Sequence, residues 1–325
     1  MKKGNAMSTK EKLLALVKAS PEIYSGEKLA QALEVSRTAV WKAIRELEKA
    51  GYRFEHTPSG YRYLPSDVLA ANEIAPGLPA DLAIEIKPSS ESTMKDAKLA
   101  FAAGESTPRL LIAETQNAGH GRFGRPFFSP KGQGIYMTLL LAPNKTFGEL
   151  PQYTLLAAVA VCRAIEALTG EHCEIKWVND IYLKGKKIVG ILSEATSNFE
   201  SGTITSVSIG MGINFAIPQA SFPAELQVKA TSLFPDSEPK ITRNQLIQKI
   251  WEEFFALEAA LPDMGYLEEY RKRSFVLGKQ VSFTLQKQHY QGIAQAITDD
   301  GQLVVATESG PITLHSGEIS LERIE

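Results

Sequence analysis

Three stretches of the chain set charge and small residues at spacings that suit an anionic ligand. GHGRFGRPFFSPKGQG, from Gly119 to Gly134, holds five glycines, two arginines, one lysine and three phenylalanines. Glycines let main-chain N–H groups approach a ligand closely. Arg122, Arg125 and Lys131 supply cations for phosphate oxygens. Phe123, Phe127 and Phe128 can shield a ligand from water or stack on a flat ring. The run satisfies GxGxxG, but no second half of a dinucleotide fold follows, and it is not a Walker loop. An exposed basic loop is the plain alternative.

KWVNDIYLKGKKIVGILSE, Lys176 to Glu194, reads as a β-hairpin around a Lys-Gly-Lys-Lys turn. Asn179 and Asp180 leave the first strand together, and Lys187 opens the second. Lys187 could neutralise charge that develops in phosphoryl transfer, whereas Lys184 and Lys186 suit a solvated turn. In SIGMGINF, small residues precede Asn214, whose amide can pair with an edge such as adenine or bond the backbone in a tight turn.

These stretches need a scaffold. From about Leu82 strands alternate with helices: LAIEI, LLIAET, GIYMTLLLA, CEIKWV, KIVGILSEA and TITSVSIGMGINF are strands, while ESTMKDAKLAFAAG, QYTLLAAVAVCRAIEALTG and ITRNQLIQKIWEEFFALEAAL are helices. That pattern predicts a mixed sheet rather than regular βαβ winding. LGKQVSFT, QGIAQAITDDGQLVVAT and PITLHSGEISL predict a small SH3-like β-barrel after it, with turns at Asp300-Gly301 and Ser309-Gly310.

The head of the chain differs. Ser8 and Glu11 have capping-box spacing, and helices fit Gly26 to Leu33 and the run after Ser36. Val40, Ile44 and Leu47 share the buried face of that third helix, while Ser36, Arg37, Thr38, Trp41, Lys42 and Arg45 offer a polar one. YRFEHTPSGYRYL alternates as a hairpin. Three helices and a hairpin predict a winged helix-turn-helix, with the third helix in a DNA major groove; a helical protein-docking module is the alternative. Glu34 stands where glycine often turns the chain, which implies backbone that is not left-handed. Residues 1–65 carry 12 Lys/Arg against 7 Asp/Glu, and residues 66–325 carry 23 against 30, as expected of a basic module on a mildly acidic body. The expected fold is thus α+β and multidomain: a winged helix-turn-helix over 1–65, a linker over 66–81, a mixed-sheet domain over 82–273 and an SH3-like domain over 274–325. Two cysteines make no disulfide framework and no zinc site, and no metal-ligand set is expected. Apolar runs are too short to span a membrane, and no secretory signal is read, so the expected home is the cytoplasm.

The motifs together resemble those of biotin protein ligases. GHGRFGRPFFSP is similar to their GRGRRGRxWxSP signature, KWVNDIYLKGKKIVGIL to KWPND…K…GIL, IGMGINF to GxGIN, and ESTMKDA to the segment that opens the biotin pocket; AETQNAG supplies a glutamine before the loop. Order and coverage match the bifunctional members, which are also repressors. The resemblance implies ATP-dependent attachment of biotin to a lysine of biotin carboxyl carrier protein, through biotinyl-5′-AMP and with Mg²⁺. It implies a homodimer that binds operator DNA with the adenylate as corepressor. Lys187 and Arg122 would carry catalysis; Ser92, Thr93, Met94, Gln116, His120 and Gly121 would hold biotin with them; Arg122, Arg125, Phe127 and Asn214 would hold ATP, and Asn179 and Asp180 would support. His120 and Phe123 stand where the family has arginines, Phe127 replaces tryptophan and Val178 replaces proline. A lipoate or octanoate ligase, or a sensor without catalysis, fits the motifs less well.

Overall fold

The computed structural model describes residues 7–146, 152–198, 200–315 and 319–321. The chain divides into two compact units, Met1–Leu69 and Ala70–Glu325.

In the first unit, α1 (Thr9–Lys18), α2 (Gly26–Leu33) and α3 (Arg37–Lys49) precede the hairpin β1 (Arg53–Thr57) and β2 (Gly60–Leu64). Ser8, Ser25 and Ser36 each accept a main-chain N–H at their helix start, and Ser8 and Glu11 complete a capping box. Each such cap contributes about 1 kcal/mol. Leu13, Val17, Leu29, Val40, Ile44 and Leu47 form the core. Glu34 departs from the sequence expectation: it is left-handed, with φ 55° and ψ 43°. Two bonds hold it there: the Glu34 N–H reaches Gln31 O and the Val35 N–H reaches Ala30 O, 2.9 Å away. These satisfy the carbonyls that a closing glycine would serve. The hairpin is fixed to the α2 entry by Tyr24 and Tyr61, which exchange both backbone bonds at 2.9 Å. A Cβ at Gly60 would lie 2.2 Å from Tyr24 O, so only glycine permits that approach.

The second unit begins with α4 (Ala71–Ile74), inside the stretch expected as a linker; Ile74 is fully buried and the Ala70 N–H is held by Asn244 Oδ1. The central strands are β3 (Ala83–Lys87), β4 (Arg109–Ala113), β5 (Gly134–Leu141), β6 (Lys145–Thr146), β7 (Glu174–Lys176), β8 (Asp180–Leu183), β9 (Lys186–Asn198) and β10 (Thr203–Asn214). They form one mixed sheet, ordered β3-β4-β5-β10-β9-β8-β7 with β6 on β10. Only β3 and β4 are parallel. The first expected hairpin strand is in fact two, since KWVND turns between β7 and β8, and its Trp177–Val178 peptide is cis.

Helix α5 (Thr93–Ala102) packs on β4, β5 and β10, and α6 (Tyr153–Thr169) on β8, β9 and β10. α6 is buried nearly all round, as its unbroken apolar sequence requires, with Cys162 in that core. α7 (Ala224–Gln227) follows β10; α8 (Arg243–Ala259) then covers α6, and α9 (Gly265–Arg273) returns on α6. No apolar periodicity announces α9, which buries only Tyr266, Leu267 and Tyr270. Finally β11 (Gln280–Leu285), β12 (Gln288–Ile297), β13 (Leu303–Thr307), β14 (Gly310–Leu314) and β15 (Ile319–Leu321) form the antiparallel C-terminal sheet, ordered β14-β13-β12-β11-β15. Residues 316–318, in the middle of the last expected strand, lie outside the described residues. No helix among the described residues is long and apolar enough to cross a membrane.

Candidate active site

A cavity opens where the start of α5, the glycine-rich loop and the facing ends of β9 and β10 meet. Ser92, Thr93, Met94, Gln116, His120, Gly121, Arg122, Arg125, Phe127, Asn179, Asp180 and Lys187 all line it. Residues from four separate sequence regions therefore converge on one volume.

One end is built on the α5 N-terminus. The Thr93 N–H donates to Gln116 Oε1 at 2.8 Å, and the Thr93 hydroxyl donates to the same oxygen at 3.2 Å. Thr138 in turn donates to Thr93 Oγ1 at 2.8 Å. Gln116 thus takes over the capping role. Ser92, although it stands at the cap position, makes no side-chain cap bond, which leaves its hydroxyl for a polar ligand group.

The glycine-rich loop is held at both ends. Glu114 precedes it and Gly134 ends it, and Arg243 reaches both: its guanidinium lies 2.8 Å from the Glu114 carboxylate and donates to Gly134 O at 3.4 Å. Arg243 is 2% exposed, so this pair lies in a low-dielectric setting and its removal would strand a charge. The Tyr136 hydroxyl donates to Pro130 O at 2.9 Å, and burial pushes that phenol well above its ordinary range. Within the loop, Phe127 N–H reaches Gly119 O and Gly121 N–H reaches Arg125 O.

The three loop phenylalanines separate in role. Phe127 lies in the cavity, edge-on to Tyr136. Phe123 is at the cavity's rim, largely exposed, with the Arg122 guanidinium 5.3 Å from its ring centre. Phe128 instead packs on Phe222, in a small core with Ile217, and does not line the cavity. Lys131 is exposed and lies outside the cavity lining.

Across the cavity, Asp180 Oδ1 lies 2.7 Å from Lys187 Nζ. Asn179 donates to Ile191 O at 2.6 Å and accepts the Ile191 N–H at 3.0 Å, which fixes the turn that presents Asp180. Asn214 is placed differently from expectation. It is buried, donates to Thr231 O at 2.9 Å, and is not among the lining residues. The alternative reading, an asparagine that bonds backbone, is the one the structure adopts; it fastens 214 to the 230–234 segment, where Leu233 N–H also reaches Asn214 O.

The residues that sequence reasoning missed are mostly glycines and apolar neighbours. Gly190 and Gly212 face each other across β9 and β10. A Cβ on Gly212 would lie 2.5 Å from the Phe127 ring, and one on Gly210 would lie 2.6 Å from Met94 Sδ. These small residues make the cavity floor. Their signal was visible in the GMG and VGIL runs, but their pairing across two strands was not.

Comparison with known proteins places each part of the chain. Residues 87–214 match the biotin/lipoate A/B protein ligase family, residues 9–62 match an HTH domain, and residues 276–322 match the biotin protein ligase C-terminal domain. The bifunctional ligase/repressor BirA of Bacillus spizizenii is 38% identical over 312 residues, which cover 93% of this chain and 95% of that protein. The chain belongs to the bifunctional ligase/repressor family.

The BirA of Escherichia coli is a more distant member of that family, 28% identical over 320 residues, or 97% of each chain. A biotin protein ligase from Aquifex aeolicus, solved in complex with biotin and ATP, superposes with a TM-score of 0.62 at 26% identity and covers 74% of this chain and 99% of its own. In the first unit, Arg37, Thr38, Trp41, Lys42 and Arg45 are exposed on α3 and Ser36 is exposed at its cap; the Arg45 guanidinium sits 5.6 Å from the Trp41 ring centre. Arg37, Thr38 and Trp41 line a groove bounded on its far side by the hairpin residues His56 to Tyr61.

Proposed function

We propose that the cavity joins biotin to ATP and passes the product to a lysine of biotin carboxyl carrier protein. The biotin carboxylate attacks the α-phosphorus of ATP and pyrophosphate leaves. The carrier lysine then attacks the acyl carbon of biotinyl-5′-AMP and AMP leaves. The observation that carries this reading is the shared cavity: an ammonium, Lys187, and two guanidiniums, Arg122 and Arg125, surround one volume whose other end is the polar start of α5. Negative charge shifts onto the phosphoryl oxygens and departing pyrophosphate in the first step and onto the acyl oxygen and departing AMP in the second, so fixed cations and correct positioning suffice. No covalent enzyme intermediate is required.

In this reading Ser92, Thr93, Met94, Gln116, His120 and Gly121 hold biotin, Lys187 and Arg122 serve the reacting carboxylate and phosphate, and Arg125 and Phe127 face the nucleotide. Asn179 and Asp180 orient Lys187. Asn214 supports the nucleotide end from behind through Thr231. Mg²⁺ would enter on the ATP phosphates. The described residues contain no group of three or more His, Cys, Asp or Glu that could cage a metal, and Asp180 is the single carboxylate of the cavity lining. That donor set suits a cation carried by phosphate oxygens and water.

The division of labour follows the chain: 1–65 for DNA, 66–81 as connection, 82–273 for catalysis and 274–325 as the C-terminal domain. The matched family segments fall within these limits. The adenylate favours a homodimer that sets two copies of α3 on a palindromic operator, which makes it the corepressor by linkage. The absence of any spanning helix among the described residues and the free thiols of Cys162 and Cys173 suit a cytoplasmic site of action.

The test is incubation with ATP, Mg²⁺, biotin and a biotin carboxyl carrier domain, followed by mass measurement. A biotin-sized increment on the carrier is expected. An unchanged carrier mass, or an increment only when lipoate replaces biotin, would overturn the assignment. For the DNA-binding unit, Lys42→Ala should weaken operator binding about equally across sequences and lower the salt slope by about 1.

A further inference from the structure

The residues that present Asp180 are themselves held from behind. Trp177 is 3% exposed, and its indole N–H donates to Gly301 O at 3.0 Å. Gly301 belongs to the β12–β13 turn of the C-terminal sheet, closed by Thr298 N–H to Gln302 O and Gly301 N–H to Thr298 O, both 2.9 Å. The next carbonyl along from Trp177, that of Val178, accepts the Tyr270 hydroxyl at 2.9 Å. Tyr270 is fully buried on α9. Two hydrogen bonds, from opposite structural elements, therefore fix consecutive residues immediately before Asn179 and Asp180.

The C-terminal turn is in turn fixed to the catalytic scaffold. Arg271 donates to Ile297 O at 2.8 Å and pairs with Asp299 at 2.6 Å, and Gln152 donates to Asp299 O at 3.1 Å. Gly301 has φ +75°, and a Cβ there would lie 2.7 Å from Leu155 on α6. The turn is thus seated where its carbonyl must meet the indole. None of these residues lines the cavity.

We propose that Trp177 and Tyr270 are positioning residues, through which the C-terminal sheet and α9 together set the Asp180–Lys187 pair for catalysis. The proposal rests on the reading of Lys187 as the catalytic cation. The physical basis is that a cation must meet developing charge at hydrogen-bond distance, and an error of about 1 Å costs on the order of 10²-fold in rate. The turn before Asp180, Trp177-Val178-Asn179, has no helix to stiffen it. Its only side-chain anchors toward the scaffold among the described bonds are the two named here and Asn179 to Ile191 O. A loosened turn should disturb the transition state more than ground-state binding, because biotin and ATP are held mainly by the α5 end and the loop.

The experiment uses the full-length protein and measures pyrophosphate release with biotin and ATP. Trp177→Phe keeps an aromatic ring and removes the donor; Tyr270→Phe removes only the hydroxyl. Tyr153→Phe is the control, because it also deletes the hydroxyl of a buried tyrosine, one bonded to Glu258 rather than to anything in 177–180. Trp177→Phe and Tyr270→Phe should each lower kcat about tenfold while the KM values for biotin and ATP stay within threefold. Tyr153→Phe should keep the wild-type kcat even if its Tm falls as far. A wild-type kcat in either folded variant would overturn the proposal, as would an equal loss in Tyr153→Phe. If one variant fails to fold, the other carries the test. Lys187→Ala in the same assay separates the two layers. A slow Lys187→Ala beside fast positioning variants sinks this inference alone; a fast Lys187→Ala sinks the site assignment beneath it.

Discussion

The Asp180 carboxylate lies 2.7 Å from the Lys187 ammonium, and both groups face the same cavity. The pairing points the ammonium before any substrate arrives. Both groups are partly exposed, so the pair itself adds little to stability, and its value lies in orientation. Lys187→Ala should slow adenylate formation by about 10²- to 10³-fold with Tm unchanged within a few degrees, the scale set by loss of one aligned charge donor. Asp180→Asn should lower kcat by about tenfold, since the amide keeps the shape but releases the ammonium from a fixed direction. Single-turnover pyrophosphate release on both variants checks the order of the two effects.

The strand pair β9 and β10 offers a second test, because two glycines on one face meet different neighbours. A Cβ at Gly210 would press on Met94 Sδ, at the α5 end, whereas one at Gly212 would press on the Phe127 ring, at the loop end. Gly210→Ala should therefore raise the biotin KM by about threefold, and Gly212→Ala the ATP KM by about tenfold. The tip of Met94 is flexible and the Phe127 ring is not, so Gly212→Ala should be the more severe. Steady-state kinetics with each substrate varied in turn would expose a reversed assignment.

Much of this was legible in the sequence for a physical reason. The helices of the first unit announce themselves by serine caps and apolar spacing, and those signals are local. Lys187, Asp180 and Arg122 were legible because charged residues in apolar or glycine-rich surroundings need a partner, whereas Gln116 was reached only through the family resemblance. What was hidden depends on contacts distant in sequence. Arg243 lies more than a hundred residues from Glu114 and Gly134, yet holds both. Tyr270 sits on a short, largely polar helix that no periodicity reveals. Phe128 looks equivalent to Phe127 in sequence, but alternation along an extended segment sends the two rings to opposite sides. Asn214 matched a motif, and the local backbone took its amide.

Glu34 gives a prediction about stability alone. A non-glycine residue in the left-handed region costs about 1–2 kcal/mol, and Glu34 has φ 55°. Glycine removes that cost but gains freedom in the unfolded chain, which returns about 0.5–1 kcal/mol. Glu34→Gly should therefore stabilise the first unit by about 0.5–1 kcal/mol. The residue is exposed and outside the α3 polar face, so operator binding should be unchanged. Chemical denaturation followed by a probe in the first unit, for example Trp41 fluorescence, measures the effect; a lower midpoint would show that the carboxylate contributes something the backbone argument omits.

The pH dependence of the second unit should show two opposite trends. Arg273 hydrogen-bonds Glu166 and holds its carboxyl below the usual carboxylate range, against the opposing effect of partial burial; the Cys173 N–H and His172 add to the lowering. A folded-state pKa below the unfolded value means stability that is present above about 4.5 and is lost as pH falls from there through the lowered value. Burial instead raises the Glu258 carboxyl, with the Tyr153 hydroxyl and Lys145 acting the other way. Ionising it costs stability as pH climbs from about 4.5 through the raised value. Glu166→Gln should cost about 2 kcal/mol at pH 7, because it leaves Arg273 half-paired, and the deficit should shrink toward zero below pH 4. Glu258→Gln should behave inversely, with its smallest cost, or a net gain, at pH 7 and its largest in acid. Melting curves of both variants and the parent from pH 3.5 to 8 would separate the trends, and parallel curves for the two variants would contradict the assigned signs.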